Sequence, residues 1–442
     1  MESKMTAKGM RSFFIIWIGQ LVSLVGSQLT GFALGVYVYD QTHSVMFLAL
    51  TQIANQIPYV LLSPIAGVLA DRWNRRTAMM VADFGAGLAV AAVAVLYFTG
   101  VLKPWMVIPI NLMMAAFNSL MWPSYSAAVT LLVPKKQYGR ANGLVQLGEA
   151  IPQIAGPALA GALYVIIKLG NMASLDFLSY LFAVTLMLLF VRIPNPPKTE
   201  DGEKSKGSFW KEMRFGWDYI IQRKNLLALL SFFVALNFVS GIMGPLFIPL
   251  ILDTWDAPTM GYIMTIIGFG VLAGTLVMSA WGGGKRKIYT LLGGGAISGL
   301  FLCVGFLRPS LTLLIVCGFF FMFAGPFTNA CSQAIWQSKV APDVQGKVFA
   351  VRRAIAWSVN IAAPLLAAPL VDYVFKPGMV AGGWLANIFG PIFGVGASRG
   401  TAVLISLMGL LSMIVSLVAF AIPRIRRVEL DLPDHELTVE KI

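Results

Sequence analysis

Long stretches without any formal charge dominate this sequence. Residues 12–39 contain no Asp, Glu, Lys or Arg, and neither do 44–70, 104–134, 225–252, 257–284, 288–307, 309–338, 354–371 and 400–423. Three further stretches are interrupted by one acid each: 77–102 by Asp83, 141–167 by Glu149 and 169–191 by Asp176. Each is near the roughly 20 residues needed to cross a hydrocarbon core of about 30 Å. Barrel strands would alternate in polarity over about 10 residues, and these runs do not alternate. The chain is 57% hydrophobic and only 12% charged, whereas an ordinary soluble domain is about 25% charged. That much apolar surface excludes a soluble enzyme or DNA-binding protein. Disorder is excluded too, because low hydrophobicity is what keeps a chain unfolded. The expected fold class is an all-α integral membrane protein of twelve transmembrane helices, with the lipid bilayer as its first partner.

The basic residues orient it. With the N-terminus inside and loops numbered alternately, 28 of the 33 Lys and Arg fall inside, and only Lys103, Lys168, Arg308, Lys376 and Arg399 fall outside. The positive-inside rule therefore predicts a multi-pass protein of the plasma (inner) membrane with cytoplasmic termini. The net charge of +13 then belongs to a membrane-facing surface, not to nucleic-acid binding. The first apolar run exceeds a signal-peptide h-region and lacks a small-residue cleavage site, so it reads as the first span. Cys303, Cys317 and Cys331 sit in apolar runs as reduced core residues. The histidines, His43 and His435, are isolated, so neither a metal site nor a cofactor is implied.

The longest polar stretch between spans, 192–224, separates the sixth span from the seventh. It divides the chain into an N-terminal six-helix bundle (1–191), a linker (192–224), a C-terminal bundle (225–423) and a tail (424–442). Within the linker, Phe209, Met213, Trp217 and Ile220 recur at helical spacing among charges, as in an amphipathic interfacial helix. The halves also repeat. At a constant offset of 207, Gly139-Arg140 falls on Gly346-Lys347, Ala155-Gly156-Pro157 on Ala362-Ala363-Pro364, and Gly161 on Ala368. Duplicated helical halves around a central site are the usual plan of secondary transporters.

The loop after the second span reads Gly67-Val-Leu-Ala-Asp71-Arg72-Trp-Asn-Arg75-Arg76. Glycine at a helix end permits a close neighbour, and Asp71 can pair with Arg72, Arg75 or Arg76 or accept bonds from a helix N-terminus. Such a cluster serves either as a latch between moving helices or as a topology-setting basic loop. The Gly-x-x-x-Asp-Arg-x-x-Arg-Arg pattern resembles the signature loop of the major facilitator superfamily. That resemblance implies two pseudo-symmetric bundles and a cytoplasmic lock in the outward-open state, built from Gly67, Asp71, Arg72, Arg75 and Arg76. The second-half loop, Gly282-Gly-Gly-Lys-Arg-Lys287, keeps the bases but has no acid. The fifth span is similar to the antiporter motif of drug-efflux members, through Gly143, Pro152, Gly156-Pro157 and Gly161, with Pro152 and Ala160 replacing glycines of the pattern. Prolines five residues apart bend a helix and glycines admit a tightly packed partner. The run Leu132–Gly143 followed by Leu175-Asp176-Phe-Leu-Ser resembles the branch containing macrolide-efflux proteins and the enterobactin exporter. An arginine that many proton-coupled members carry in the fourth span has no counterpart in 104–134.

Ionisable residues inside spans are costly and by default functional candidates. Glu149 lies nine residues past Arg140, about 13 Å along a helix. With Gln146 and Gln153 on its face, it is the candidate for binding a proton in competition with substrate. Asp83, seven residues past Arg76, is expected to pair with the gate loop, and Asp176 to cap or pack the outer part of the sixth span. Arg352 and Arg353 open the eleventh span. They are expected either to snorkel to phosphates or to pair with Asp71 or Asp83 at the gate. Polar stripes suggest a cavity lined by Gln20, Ser27, Gln56, Asn118, Trp122, Asn237, Asn329, Gln333 and Trp336, besides Gln146 and Gln153, because polar faces avoid lipid. The absence of bases near the midplane argues against strongly anionic cargo.

The expected function is a monomeric, proton-coupled exporter of an amphipathic small molecule such as a drug, macrolide or siderophore, working by alternating access. Lysophospholipid flipping, solute uptake or a non-transporting receptor are the alternatives. The chain carries no Walker A sequence and thus no sign of a built-in ATPase. An enzyme would need a clustered nucleophile or metal set, which the spans do not offer. The apolar outer loop 376–398 is expected to be re-entrant or interfacial.

Overall fold

A computed structural model describes residues 2–434 apart from 43–49, 52–53, 56, 60, 197–198, 201–202, 204–206 and 256. The described residues form helices and no strand. In chain order these are α1 (Glu2–Thr42), α2 (Ser63–Arg72), α3 (Arg75–Phe98), α4 (Val107–Leu132) and α5 (Tyr138–Phe190). They are followed by α6 (Phe209–Gln222), α7 (Lys224–Leu252), α8 (Ala257–Trp281), α9 (Lys287–Gly305), α10 (Leu311–Lys339) and α11 (Gln345–Pro369). The chain closes with α12 (Trp384–Phe393), α13 (Ala397–Ala421), α14 (Pro423–Arg426) and α15 (Val428–Asp431).

α5 holds two spans. Its 53 residues break at Lys168, whose φ of 54° is left-handed. The chain reverses there. Gly148 meets Trp17 and Gly156 meets Gln28, so the fifth span runs parallel to α1, while Gly19 meets Ala183 and Gly26 meets Asp176, so the sixth runs antiparallel.

Among the described residues nine helices are apolar and long enough to cross a membrane. The second, fifth and eleventh expected spans fall outside that set. Part of the second lies outside the described residues. α2 packs on α11, and the first part of α5 on α8. Small residues let the helices of the two halves approach at both junctions. α3 buries the small stripe Ala78, Ala82, Ala86, Ala89 and Val93 and exposes Phe84, Leu88 and Val95.

The amphipathic linker helix is α6, capped at its start by the Ser208 hydroxyl. Its Tyr219 and Ile220, with Ile425 and Val428 of the chain's end, join one buried cluster with α7, α9, α10 and α11. The linker helix and the described start of the tail thus pack on the C-terminal half at the end of the bundle that carries the basic loops. In the outer loop, Arg399 and Arg308 donate to the carbonyls of Phe393 and Pro391 at the end of α12. Trp384, Ile388 and Ile392 are exposed along one face of that helix, while Leu385 and Phe393 are buried, which is an interfacial geometry.

Candidate functional site

A cavity of about 570 Å³ opens between the N-terminal helices. Gln20, Ser23, Ser27, Gln28 and Gly31 of α1 form one wall. Asp83 comes from α3, Asn111, Asn118, Trp122 and Tyr125 from α4, and Glu149 and Tyr180 from α5. Thr51, Asn55 and Tyr59 complete it, and Arg353 is the one wall residue from the C-terminal half among those described. Polar side chains group here because each of these helices turns its polar stripe away from lipid.

Three carboxyl groups surround this space. Glu149 is exposed, into the cavity. Asp83 is buried, at 1% exposure, and accepts a 2.8 Å bond from Gln20 Nε2. Asp176 is fully buried behind α1, where Ser179 and Ser27 reach it. The Ser27 hydroxyl also lies 3.0 Å from that of Tyr180. A continuous polar seam thus joins Asp176, Ser27 and Tyr180 to the cavity wall.

At the basic end the two halves are closed on each other. Asp71 Oδ1 accepts from the Gly346 amide and Oδ2 from the Lys347 amide, both at 2.8 Å. These are the free donors of the first turn of α11, where a carboxylate is favoured. Arg75 pairs with Asp71 at 2.9 Å and also donates to the Pro342 carbonyl. Both charged side chains of this pair are 2% exposed. Gly67 lets α2 lie against α11, since a methyl there would stand 2.6 Å from the Gly346 carbonyl oxygen. The related junction between α5 and α8 depends on Gly139, which abuts the Gly282 carbonyl, and on Gly143, where a methyl would stand 2.7 Å from the Ser279 nitrogen. Between these junctions Asn142 bonds Gln337, Gln333 bonds Ser126, and Thr130 bonds Gln345.

Two acids outside the helix bundle strap this end. Glu212 of α6 takes Arg72 from the N-terminal half at 2.9 Å and Lys347 from the C-terminal half at 3.1 Å. Asp434 of the tail likewise bridges Lys135 of the N-terminal half and Lys339 of the C-terminal half. Burial alone would raise the Glu212 carboxyl, but the bonds and charges of Arg72 and Lys347 outweigh it and hold the group below the usual glutamate range. Asp434 is lowered in the same way, burial being overcome by Lys135 and Lys339.

Several expected positions are corrected. Asp83 makes no ion pair with the gate loop among the described residues; its partner is Gln20. Arg352 and Arg353 neither snorkel nor reach Asp71 or Asp83. α11 begins at Gln345, so both are two turns inside it. Arg352 donates to Gln333 and Ser332, and its guanidinium lies 4.9 Å from the Trp336 ring. Arg353 puts a base inside the cavity, where the sequence placed none. The C-terminal stripe does not form the described cavity wall: Asn237 bonds the Ala356 carbonyl, Gln333 the opposite half, and Trp336 is fully buried. Gln146 bonds the Pro326 carbonyl across the halves, while Gln153 and Asn329 are exposed outside that wall. In the antiporter-like helix, Pro152 is buried, Gly156 abuts Gln28, and Gly161 has Phe32 at 3.9 Å. Arg76 donates to the carbonyls of Met187 and Leu188 and stays within its own half. Gln56 and the side chain of Pro157 lie outside what the structure describes. Glu212 and Asp434 carried no signal in the sequence, because a lone acid on an amphipathic helix or in a polar tail looks like solvated surface.

Comparison with known proteins bears on the fold and the family. The family model described as Major Facilitator Superfamily matches residues 16–364. Macrolide efflux protein A of Streptococcus pyogenes is 28% identical over 358 residues, covering 80% of this chain and 87% of that protein. Among solved structures, the human organic anion transporter MFSD10 (TETRAN) superimposes with a TM-score of 0.66 at 14% identity, over 92% of this chain and 99% of that one. A bacterial homologue of the iron transporter ferroportin, in an outward-facing state, gives 0.65 at 13% identity over 92% and 98%.

Proposed function

The chain belongs to the major facilitator superfamily, and from that premise we propose that it is a proton-coupled exporter of amphipathic small molecules. One observation carries the reading: a polar cavity with the Glu149 carboxyl exposed in it, beneath a basic end closed by bonds between the halves. With the basic end in the cytoplasm, as the positive-inside rule has it, this is an outward-facing state. The division into bundles 1–191 and 225–423, joined by the linker 192–224 and followed by the tail 424–442, sets the rocking units.

Export then proceeds in steps this chain's residues can perform. In the outward-facing state Glu149 takes a proton from outside, which removes the charge that holds cargo. Rocking about the α2–α11 and α5–α8 junctions breaks the Asp71 bonds to α11 and opens the basic end. Glu149 gives its proton to the cytoplasm and takes cargo instead. The low-dielectric wall makes simultaneous proton and cargo binding unfavourable, which links the two flows. The likeness to Macrolide efflux protein A supports export of a large lipophilic cargo. The protein is proposed to act as a monomer in the plasma membrane.

The test is uptake into inside-out vesicles under an imposed proton gradient, with lipophilic dyes, macrolides and siderophores as cargo. Gradient-driven uptake lost in Glu149→Gln is the expected result. Uptake unchanged in that variant removes Glu149 from the coupling, and no uptake of any compound removes the export reading.

A further inference from the structure

Arg353 differs from its neighbour in how it is held. Arg352 is fixed by hydrogen bonds to Gln333 and Ser332. Among the described residues Arg353 has no hydrogen-bond or ion-pair partner. It is surrounded by aromatic faces instead: its guanidinium carbon lies 4.7 Å from the Trp122 ring centroid, 5.0 Å from that of Trp357 and 5.9 Å from that of Tyr59. Trp122 is itself propped edge-on by Phe349. Glu149 lies on the same cavity wall. Several aromatic faces beside one carboxylate form the arrangement by which proteins hold organic ammonium groups. A guanidinium is weakly hydrated and stacks well, so it fills such a cage readily.

We propose that the cage of Tyr59, Trp122, Trp357 and Glu149 is a binding site for the charged group of an organic cation, and that Arg353 occupies it as a tethered stand-in while the site is empty. This deepens the export reading and rests on it in one respect, that the cavity takes the cargo. The occupant is a cation because Glu149 and three ring faces attract one and repel an anion. Arg353 is displaceable because no directional bond holds it. It also comes from the opposite half, so a cargo that evicts it changes how the halves meet at the cavity.

The stand-in competes with cargo. If Arg353 fills the cage about nine-tenths of the time, the apparent affinity for a cation is lowered about tenfold. The experiment is equilibrium binding to the full chain in lipid nanodiscs without any gradient, corrected for empty discs. The probes are tetraphenylphosphonium and its anionic analogue of the same shape, tetraphenylborate. Arg353→Gln is expected to tighten tetraphenylphosphonium binding about tenfold and not to tighten tetraphenylborate. Arg353→Lys keeps the competing charge and should stay near the unsubstituted protein, which also controls for folding. Adding Glu149→Gln or Trp122→Leu to Arg353→Gln should remove the gain. The proposal is overturned if Arg353→Gln leaves cation binding unchanged or weaker, if it tightens both probes alike, if Arg353→Lys tightens like Arg353→Gln, or if neither protein binds the cation saturably. Because no transport is read, a failed vesicle experiment and a failed cage are told apart.

Discussion

The two halves share one six-helix plan and differ in what they enclose. The N-terminal half surrounds about 570 Å³ with Gln20, Asp83, Asn111, Asn118, Glu149 and Tyr180 on the wall. The C-terminal half surrounds about 180 Å³ with Met243, Phe247, Met264, Cys317, Phe321 and Met322. The junctions differ in the same sense. Gly346, which matches Gly139 in the repeat, meets Asp71 and Gly67, whereas Gly139 meets the acid-free Gly282 loop. Duplication therefore kept the helix contacts, which depend on small residues and backbone. It did not keep the polar cavity, whose described wall comes from the N-terminal half apart from Arg353.

Five substitutions test how deep this asymmetry goes. The largest effect is expected at Glu149→Gln, with gradient-driven transport down about a hundredfold or more, the scale at which removing one proton-transferring group is felt. Comparable loss on replacing Met322 by Ala would mean that both halves share the chemistry. Next, Gly139→Val drives a side chain into backbone and should disfavour the closed basic end by about 1–3 kcal/mol. Distances between spin labels on the Lys135 and Lys285 loops would then lengthen, and unchanged distances would contradict the close packing. Third, Cys317→Asp puts a carboxyl among apolar side chains and should cost at least about 2 kcal/mol, lowering the unfolding temperature. Asp83→Asn keeps its Gln20 partner and should cost less; equal losses would abolish the distinction between the halves.

The smallest effect belongs to the two straps. Closure lowers the Glu212 and Asp434 carboxyls, so closure is favoured above the ordinary carboxylate range and weakens as pH falls through the depressed values. Bringing the pH from 7 to about 4 should open the basic end by about two- to fivefold, the range of partly exposed pairs. Glu212→Gln with Asp434→Asn should flatten that dependence. A pH response that survives the double substitution would assign it to groups inside the bundle.

Much of the fold was legible in the sequence because burial in lipid leaves a coarse mark. Charge-free runs, basic loops and the 207-residue repeat each report one physical constraint. The site was less legible. Glu149, Gln20, Ser27, Asn118 and Trp122 line the cavity. Asn237, Gln333 and Trp336 belong to an identical kind of stripe, yet they face other helices, because polar residues glue helices together as readily as they line water. Arg353 is expected to open the eleventh span, because the charge-free run starts only at 354; α11 begins at Gln345, which puts Arg353 two turns inside it. Asp83 lies one helix away from the partner its sequence neighbourhood suggested, since a hydrogen bond to α1 depends on tertiary register.

The polar side chains of α11 carry a consequence for how the molecule is made. α11 brings Arg352, Arg353, Ser358 and Asn360 into the membrane, and each arginine at a helix centre costs about 2.5–3.5 kcal/mol when a segment enters the bilayer on its own. Such a segment leaves the translocon poorly unless its neighbours wait beside it. α2 and α4 must therefore already be in place when α11 emerges, so the first half serves as the receiving template for the second, and synthesis order becomes part of the fold's specification.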